Sequence, residues 1–319
     1  MQLPQDLTNL ESWRVTKPWN PTHWWDGTPL TEQPGGNMKQ PPPMYTGWHW
    51  PPNSCPYYRT AYKKNAKTFT DGHGHIYRPL YDKLKDSFLS AKETDNLPPS
   101  HPFYRMIPSF FSTLVKLQEL DKDYTLVLRT FGSDLDDIAQ ALKDFAVGKH
   151  PLFPTFREPK LLLEECNMFR GRYSQGHNTD AVYDLFDWKS HRKVASGDEE
   201  LLHVIEKLSV CGIRDDYEYW YKNDHAPMCG KPVWIHPKGT GSFHHLFFDD
   251  NIHNDANDSI VAVRSRDKDG EHWNALSGEE TIAEQGKYVV RVPTVAAVLQ
   301  DDWFLQQIAL AEDRVNASS

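Results

Sequence analysis

Hydrophobic residues recur at helical spacing in two stretches before residue 121. Residues 77–91 carry an apolar face with this spacing, which predicts an amphipathic helix that ends before Pro98 and Pro99. A second apolar face begins at Pro108, a residue well suited to a first helical turn, and continues to residue 120. The pattern therefore predicts two consecutive helices ahead of the first strand.

A different pattern follows, because short apolar runs between turn residues are typical of strands that are covered on both faces. Residues 124–129 form the first such run, and a helix from Leu135 to about Gly148 comes after it. Helix, strand and helix in this order indicate an α/β fold, and we expect a Rossmann-like, mostly parallel sheet with helices on both faces. The remaining predicted elements are short helices at 199–208 and 215–222, strands at 233–235, 245–248 and 259–264, and one closing helix at 295–313.

The chain divides by composition into three parts. Residues 1–60 hold six of the 11 tryptophans and 11 of the 23 prolines, so we expect an irregular Pro/Trp-rich segment there. Residues 61–107 form a predicted helical cap-like region. Residues 108–319 form the predicted α/β core, with an insertion at about 150–195 where the alternation of helices and strands breaks.

Charge and cysteine content exclude several classes of function. The net charge of -9 disfavours a surface that binds the phosphates of nucleic acid. We also expect no membrane span and no secretory leader, and hence a cytoplasmic protein, because the chain has no long apolar run and starts without one. The four cysteines are far apart and indicate reduced structural thiols rather than a zinc site or disulfides.

The residues that could bind a ligand or a metal ion follow two of the predicted strands. The first strand ends at Thr130, Phe131 and Gly132, and a later one ends at Asp249 and Asp250. Ligands bind at the carboxyl ends of strands in open α/β sheets, and adjacent carboxylates at a strand end favour Mg²⁺, which prefers oxygen ligands. Lys231 precedes the second strand and could neutralise a phosphate opposite that cation.

These motifs resemble those of the haloacid dehalogenase-like phosphohydrolases, over about residues 108–148 and 211–263. The resemblance implies that Thr130, with Phe131 and Gly132, and Lys231 bind the phosphoryl group of a small phosphorylated substrate. It implies further that Asp249 and Asp250 hold Mg²⁺, with Asn251 orienting them. Two alternatives stay open. Thr130 is either a phosphate contact or a satisfied loop hydroxyl, and Lys231 is either such a ligand or an ordinary surface lysine before a proline.

The chain departs from the family pattern at the nucleophile. The family's first strand ends in Asp-x-Asp, whose first carboxylate is phosphorylated and whose second is the general acid/base. Neither candidate fits: Asp26 follows a proline-rich stretch, and Asp134 and Asp136 lie where a helix begins. That strand would be the middle one of the sheet, between the strands that end at Thr130 and Asp249.

Three explanations of the absent strand remain open. The chain is incomplete at its N-terminus, which we favour, or residues 44–48 supply a divergent strand, or the fold is rearranged. The leading functional hypothesis is a Mg²⁺-dependent phosphatase or a weakly active or inactive relative of one. The alternatives are a non-catalytic binding or scaffold protein with a protein partner, and a histidine/carboxylate metallohydrolase. For the last, the residues His73, His75, His244, His245 and His253 lack helical ligand spacing, so we expect satisfied or exposed histidines.

Overall fold

The structure is a computed structural model that describes residues 71, 75–89, 101, 103, 106–174, 181–236, 243–256, 258–267, 269–270 and 272–317. Residues 1–60, with Asp26 and the candidate strand at 44–48, lie outside the described residues, as do His73 and most of the predicted cap-like region.

The chain divides into two compact units, Met1–Lys83 and Leu84–Ser319. In the described part of the first unit, the guanidinium of Arg78 donates to the carboxylate of Asp82 at 2.9 Å, one helical turn away.

The predicted helices of the first half are confirmed. Helix α1 (Arg78–Leu89) begins one residue after the predicted start. Helix α2 (Pro108–Glu119) has its proline in the first turn, where the missing N–H costs no hydrogen bond. Helix α3 (Leu135–Ala146) carries acidic residues in its first turn and ends before Gly148, whose φ of 75° favours glycine. The later helices are α4 (Gly197–Ile205), α5 (Tyr217–Lys222), α6 (Gly278–Ala283), α7 (Thr294–Leu299) and α8 (Trp303–Ala317).

The closing helix differs from its prediction. The stretch predicted as one helix forms two, α7 and α8, separated at residues 300–302. The apolar spacing continues across this point, but Gln300 has extended backbone angles, and the acidic pair Asp301 and Asp302 directly precedes α8. Acidic residues are favourable at a helix N-terminus, so the pair begins a new helix rather than continuing the old one.

The largest sheet has five strands in the order β1-β5-β2-β3-β4. Strands β1, β5 and β2 run parallel, and β3 and β4 add antiparallel neighbours at the far edge. The region around residues 150–195 therefore contributes three strands to the same sheet as β1. The bounds of the five strands are Leu126–Thr130 (β1), Met168–Tyr173 (β2), Tyr183–Asp187 (β3), Lys193–Ser196 (β4) and Val210–Arg214 (β5).

Within the described residues the remaining strands form three smaller sheets, the smallest of which pairs β8 with β9 in antiparallel orientation. One has the order β11-β10-β6, with β6 and β10 parallel, and another pairs β7 with β12 in parallel. Strands β1 and β7 do not pair with each other, and within the described residues each has a single strand partner. The bounds are Lys231–Ile235 (β6), Phe247–Asp249 (β7), Ile252–Asp255 (β8), Asp258–Ser259 (β9), Val261–Arg266 (β10), Trp273–Ala275 (β11) and Val289–Arg291 (β12).

Strand β1 separates two hydrophobic clusters. Leu126 and Leu128 pack against a cluster built mainly from α2 and α3, and Val127 packs against a second cluster with Ile213 and Trp234. Side chains alternate between the faces of a strand, so the unbroken apolar run covers both faces, as predicted. The strand is nevertheless only half-buried, because it lies at the edge of its sheet.

Arg129 connects the strands at this edge. Its side chain is 5% exposed, and its guanidinium donates two hydrogen bonds to Asp215, one of them at 2.9 Å. Asp215 also accepts from the hydroxyl of Tyr183, and Arg129 donates at 2.9 Å to the carbonyl oxygen of Pro232. One guanidinium therefore joins β1, the end of β5, β3 and β6.

The fold is mixed α/β, with several helices and with parallel strands in three of its sheets. This confirms the predicted α/β class. None of the helices in the described part of the chain combines the length and apolarity needed to cross a membrane.

Replacing Asp215 with asparagine should destabilise the protein strongly. Asp215→Asn leaves the buried guanidinium of Arg129 without a counter-charge, and breaking a buried ion pair in this way costs about 3–5 kcal/mol. The control is Glu165→Gln, which breaks an ion pair with Lys189 in which both side chains are largely exposed, and should cost less than about 1 kcal/mol. Urea denaturation followed by circular dichroism measures both, and similar costs would contradict this role of Arg129.

His150 should make the stability of the fold pH-dependent. The ring is 2% exposed among Phe103, Phe111 and Phe145, and this burial lowers its pKa to about 4. Because the folded-state pKa lies below the ordinary value of 6.5, protonation favours unfolding. The contribution of the neutral ring to the free energy of unfolding is fully present above about pH 6.5. It is lost as the pH falls towards 4, and the loss is on the order of 3 kcal/mol.

The variant His150→Phe should reduce this pH dependence between pH 7 and 4 without abolishing it, because burial also lowers the pKa of His245 to about 4. His203→Gln, at an exposed position on α4, should leave it as in the wild type. Unfolding free energies from urea titrations across this pH range test the prediction. An unchanged slope in His150→Phe would show that another group carries the acid sensitivity.

Candidate functional site

The predicted site residues come from three separate sheets. Thr130 is the last residue of β1, Lys231 is the first residue of β6, and Asp249 is the last residue of β7, with Asp250 directly after it. Sequence positions more than 100 residues apart therefore contribute to one region. The ammonium group of Lys231 brings them together.

Lys231 forms a buried ion pair with Asp249. The distance from Lys231 Nζ to Asp249 Oδ2 is 2.8 Å, and the two side chains are only 6% and 11% exposed. The alternative of an ordinary surface lysine is therefore wrong, because Lys231 is a buried residue of strand β6. A lysine is rarely buried without a partner, and Asp249 supplies the charge that makes this burial tolerable.

Two aromatic rings flank the same ammonium group. Lys231 Nζ lies 5.1 Å from the ring centre of Phe131 and 5.8 Å from that of Phe247. The Phe131 ring is in turn stacked on Trp220, with centres 5.1 Å apart. A cation at this distance from a ring face is attracted by it, so Lys231 connects the loop after β1 with strand β7.

The hydroxyl of Thr130 is engaged within its own loop. It donates to Asp134 Oδ1 at 2.7 Å and accepts from the backbone N–H of Gly132 at 2.8 Å. A side chain at Gly132 would bring its Cβ to 2.7 Å from Asp134 Oδ1, so glycine keeps this turn tight. In the rejected Asp-x-Asp candidate at 134–136, Asp134 serves this turn and Asp136 lies in the first turn of α3. The loop places Phe131 against Lys231, whereas the hydrogen bonds of Thr130 do not reach the ion pair.

Asn251 contacts the carboxylates of both Asp249 and Asp250, as expected. Its backbone N–H donates to Asp249 Oδ1 at 2.9 Å, and its side-chain amide donates to Asp250 Oδ1 at 3.0 Å. The pKa of Asp250 is raised, first by partial burial and then by the negative charge of Asp249. Within the described residues Asp250 has no ion-pair partner, so a cation bound beside it would relieve the repulsion.

The donor set fits Mg²⁺. The ion prefers carboxylate and water oxygens and is usually held by one or two carboxylates together with a phosphate group. Asp249 and Asp250 are adjacent at a strand end, and their carboxylate oxygens could hold the ion once Asp249 is released from Lys231, while water completes its shell. Lys231 carries a like charge, so an anion beside it would have to accompany the metal.

A second pair of strand-end carboxylates escaped the sequence analysis. Asp215 and Asp216 follow the apolar strand β5, just as Asp249 and Asp250 follow β7. Both are buried, and Arg129 neutralises Asp215. Asp216 accepts hydrogen bonds from the backbone N–H groups of Tyr173 and Tyr219, and its third partner is the guanidinium of Arg172 at 3.2 Å. These partners make this pair structural, and the sequence pattern alone does not separate the two pairs.

Two histidines and a glutamate that the sequence analysis did not combine also lie together: Glu206, His236 and His245. The expectation of satisfied or exposed histidines holds for His244, whose Nε2 is 2.7 Å from the carbonyl oxygen of Lys287. It is wrong for His245, because Nε2 of this ring is buried and has no hydrogen-bond partner in the described part of the chain. His75 is not one of the three residues, and the side chain of His253 lies outside the described part of the chain.

Comparison of the chain with protein-family models, with curated proteins and with solved structures gave no match in any of the three.

The raised pKa of Asp250 should fall when Asp249 loses its charge. In Asp249→Asn the repulsion disappears and Lys231 is released to act on Asp250, while the burial contribution remains. We expect the pKa of Asp250, followed by carboxyl ¹³C NMR, to move down towards its ordinary range. An unchanged titration would show that the two carboxylates do not interact.

Proposed function

We propose that the protein binds a small phosphorylated compound together with Mg²⁺ at Thr130, Phe131, Gly132, Lys231 and the carboxylates Asp249 and Asp250. The position of the buried ammonium group of Lys231 supports this proposal most strongly. Lys231 lies between a strand-end carboxylate that a metal ion can use and the loop that follows another strand. An anion and a cation bound together would replace the internal Lys231–Asp249 pair without leaving either charge uncompensated.

The proposed core is Rossmann-like and related to the haloacid dehalogenase-like phosphohydrolases. Two observations support this finer assignment: β1 pairs in parallel with β5, and β7 pairs in parallel with β12. The carboxyl ends of β1 and β7 carry the site residues, which is the usual place for ligands in open α/β sheets. The single strand partners of β1 and β7 agree with a sheet that lacks a strand between them among the described residues.

The same site supports binding better than turnover. Phosphoryl transfer needs a nucleophile in line with the leaving group, and an aspartyl nucleophile needs a carboxylate that is not already committed. In the described part of the chain, Asp249 is paired with Lys231 and Asp134 with Thr130. The proposal is therefore a phosphohydrolase-type site with little or no hydrolytic activity.

Phosphate binding to the purified protein should depend on Mg²⁺. We expect isothermal titration with inorganic phosphate to give a binding isotherm in the presence of Mg²⁺ and a much weaker one without it. Lys231→Met should lower the affinity for phosphate at least tenfold, whereas Lys189→Met, at a lysine side chain 81% exposed, should not change it. Asp250→Asn lies at the exposed rim, so it should keep the fold and lose the Mg²⁺ dependence.

Two results would contradict the proposal. Equal phosphate affinity with and without Mg²⁺ would remove the metal from the site, and an unchanged isotherm in Asp250→Asn would remove that carboxylate. Mg²⁺-dependent hydrolysis of an aryl phosphate that is lost in Asp249→Asn would instead show an active enzyme.

A non-catalytic protein-binding role is the second candidate, favoured by the single strand partners of β1 and β7 in the described part of the fold. Unpaired backbone groups on a strand edge are a template for an added peptide strand. Such binding requires neither Mg²⁺ nor phosphate, so the titrations above separate the two candidates.

A further inference from the structure

We propose that Glu206, His236 and His245 form a binding site for a Zn²⁺-like transition-metal ion, separate from the proposed Mg²⁺ site. The three residues come from different elements. Glu206 directly follows α4, His236 directly follows β6, and His245 lies two residues before β7. One ligand atom from each side chain lies within 4.8 Å of the others. A bound ion would therefore join three segments of the second unit.

The spacing suits a tetrahedral ion. His245 Nε2 lies 3.5 Å from Glu206 Oε1, and the rings of His236 and His245 are 5.4 Å apart at an angle of 31°. Zn²⁺ holds nitrogen and oxygen ligands at about 2.0–2.2 Å, so neighbouring ligand atoms of a tetrahedron are roughly 3.3 Å apart. Three protein ligands leave the fourth position for water or an external ligand.

Two buried nitrogen atoms lack the hydrogen bonds that burial normally requires. His236 Nδ1 and His245 Nε2 are both buried without a hydrogen-bond partner in the described residues. Leaving a buried polar atom unsatisfied costs about 1–3 kcal/mol, so native structures seldom leave two in one place. A metal ion coordinated by both rings would satisfy them together.

The histidines are held in the form that binds metals. Burial lowers the pKa of His245 to about 4, and the pKa of His236 is also lowered, first by burial and then by Arg266. Both rings are therefore neutral at pH 7 and have a lone pair to donate. The pKa of Glu206 is raised, first by burial and then by Glu199. A cation would counteract both causes.

The surrounding charges leave the site able to accept a cation. Arg266 is a positive group near the site, and its guanidinium pairs with Glu199 at 2.7 Å. The indole N–H of Trp273 donates to the same carboxylate at 3.3 Å, and its ring lies 5.1 Å from His236. Glu199 therefore serves as the ion-pair partner of Arg266, and within the described residues Glu206 is not needed in that role.

The ligand chemistry separates this site from Asp249 and Asp250. Two imidazoles and one carboxylate suit Zn²⁺ and similar ions, whereas a pair of carboxylates suits Mg²⁺. The two sites should therefore respond to different metals. The proposal does not depend on phosphate binding, because it shares no residue with that site.

Zinc titration of the metal-stripped full chain tests the proposal. We expect competition with a chromophoric chelator to show one Zn²⁺ site that excess Mg²⁺ does not displace. His236→Asn and His245→Asn should weaken it on the order of 100-fold or more, and Glu206→Gln should weaken it at least tenfold. The matched control is His244→Asn, which replaces the neighbour of His245 in the chain and should leave the affinity unchanged.

Thermal unfolding and cobalt spectra provide readouts that do not rest on the variants alone. Zn²⁺ should raise the Tm of the wild type and of His244→Asn by the same amount and that of Glu206→Gln by less at equal Zn²⁺, with the fold of the variant checked without metal by circular dichroism. Co²⁺ in the wild type should give the visible absorption of a tetrahedral site. The proposal is overturned if the wild type binds no Zn²⁺ tightly, or if Glu206→Gln and His236→Asn bind it as the wild type does.

Discussion

The ion pair between Arg129 and Asp215 is the buried contact on which the arrangement of strands depends. Arg129 lies on an edge strand that has one strand partner in the described residues, so backbone pairing alone holds this strand on one side only. The guanidinium adds contacts beyond this pairing, because it binds Asp215, directly after the partner strand β5, and also the backbone of β6 at Pro232. Through β6 it also fixes Lys231, the residue around which the proposed phosphate site is built.

The sequence patterns predicted the individual helices and strands better than the way in which the strands assemble into sheets. The helix beginning at Pro108 and the strand before Thr130 follow from apolar spacing, proline geometry and turn residues, which act over a few positions. The division of the closing helix at residues 300–302 did not follow, because the apolar spacing there is continuous. The distribution of strands over several sheets depends on contacts between distant residues, such as Arg129 with Asp215, which periodicity does not encode.

The same limit applies to the site. Two strands end in a pair of aspartates, and the sequence shows no difference between them. Arg129 neutralises Asp215 from a strand 86 positions away, whereas Asp250 lacks an ion-pair partner in the described structure. Likewise, Glu206 lies 30 or more positions before the two histidines it meets, and no short motif contains all three. In both cases the partner, rather than the residue type, determines whether a carboxylate or imidazole is free to bind a ligand.

The central claim is that Lys231, the loop after β1 and the carboxylates Asp249 and Asp250 act as one site for a phosphate and a metal ion. A crystal structure of the full chain with Mg²⁺ and tungstate, a phosphate mimic with strong anomalous scattering, tests it most directly. The account predicts tungstate in contact with Lys231 Nζ and the backbone of the loop at Gly132, with Mg²⁺ between it and Asp250. Tungstate bound elsewhere, with the Lys231–Asp249 ion pair intact, would contradict it.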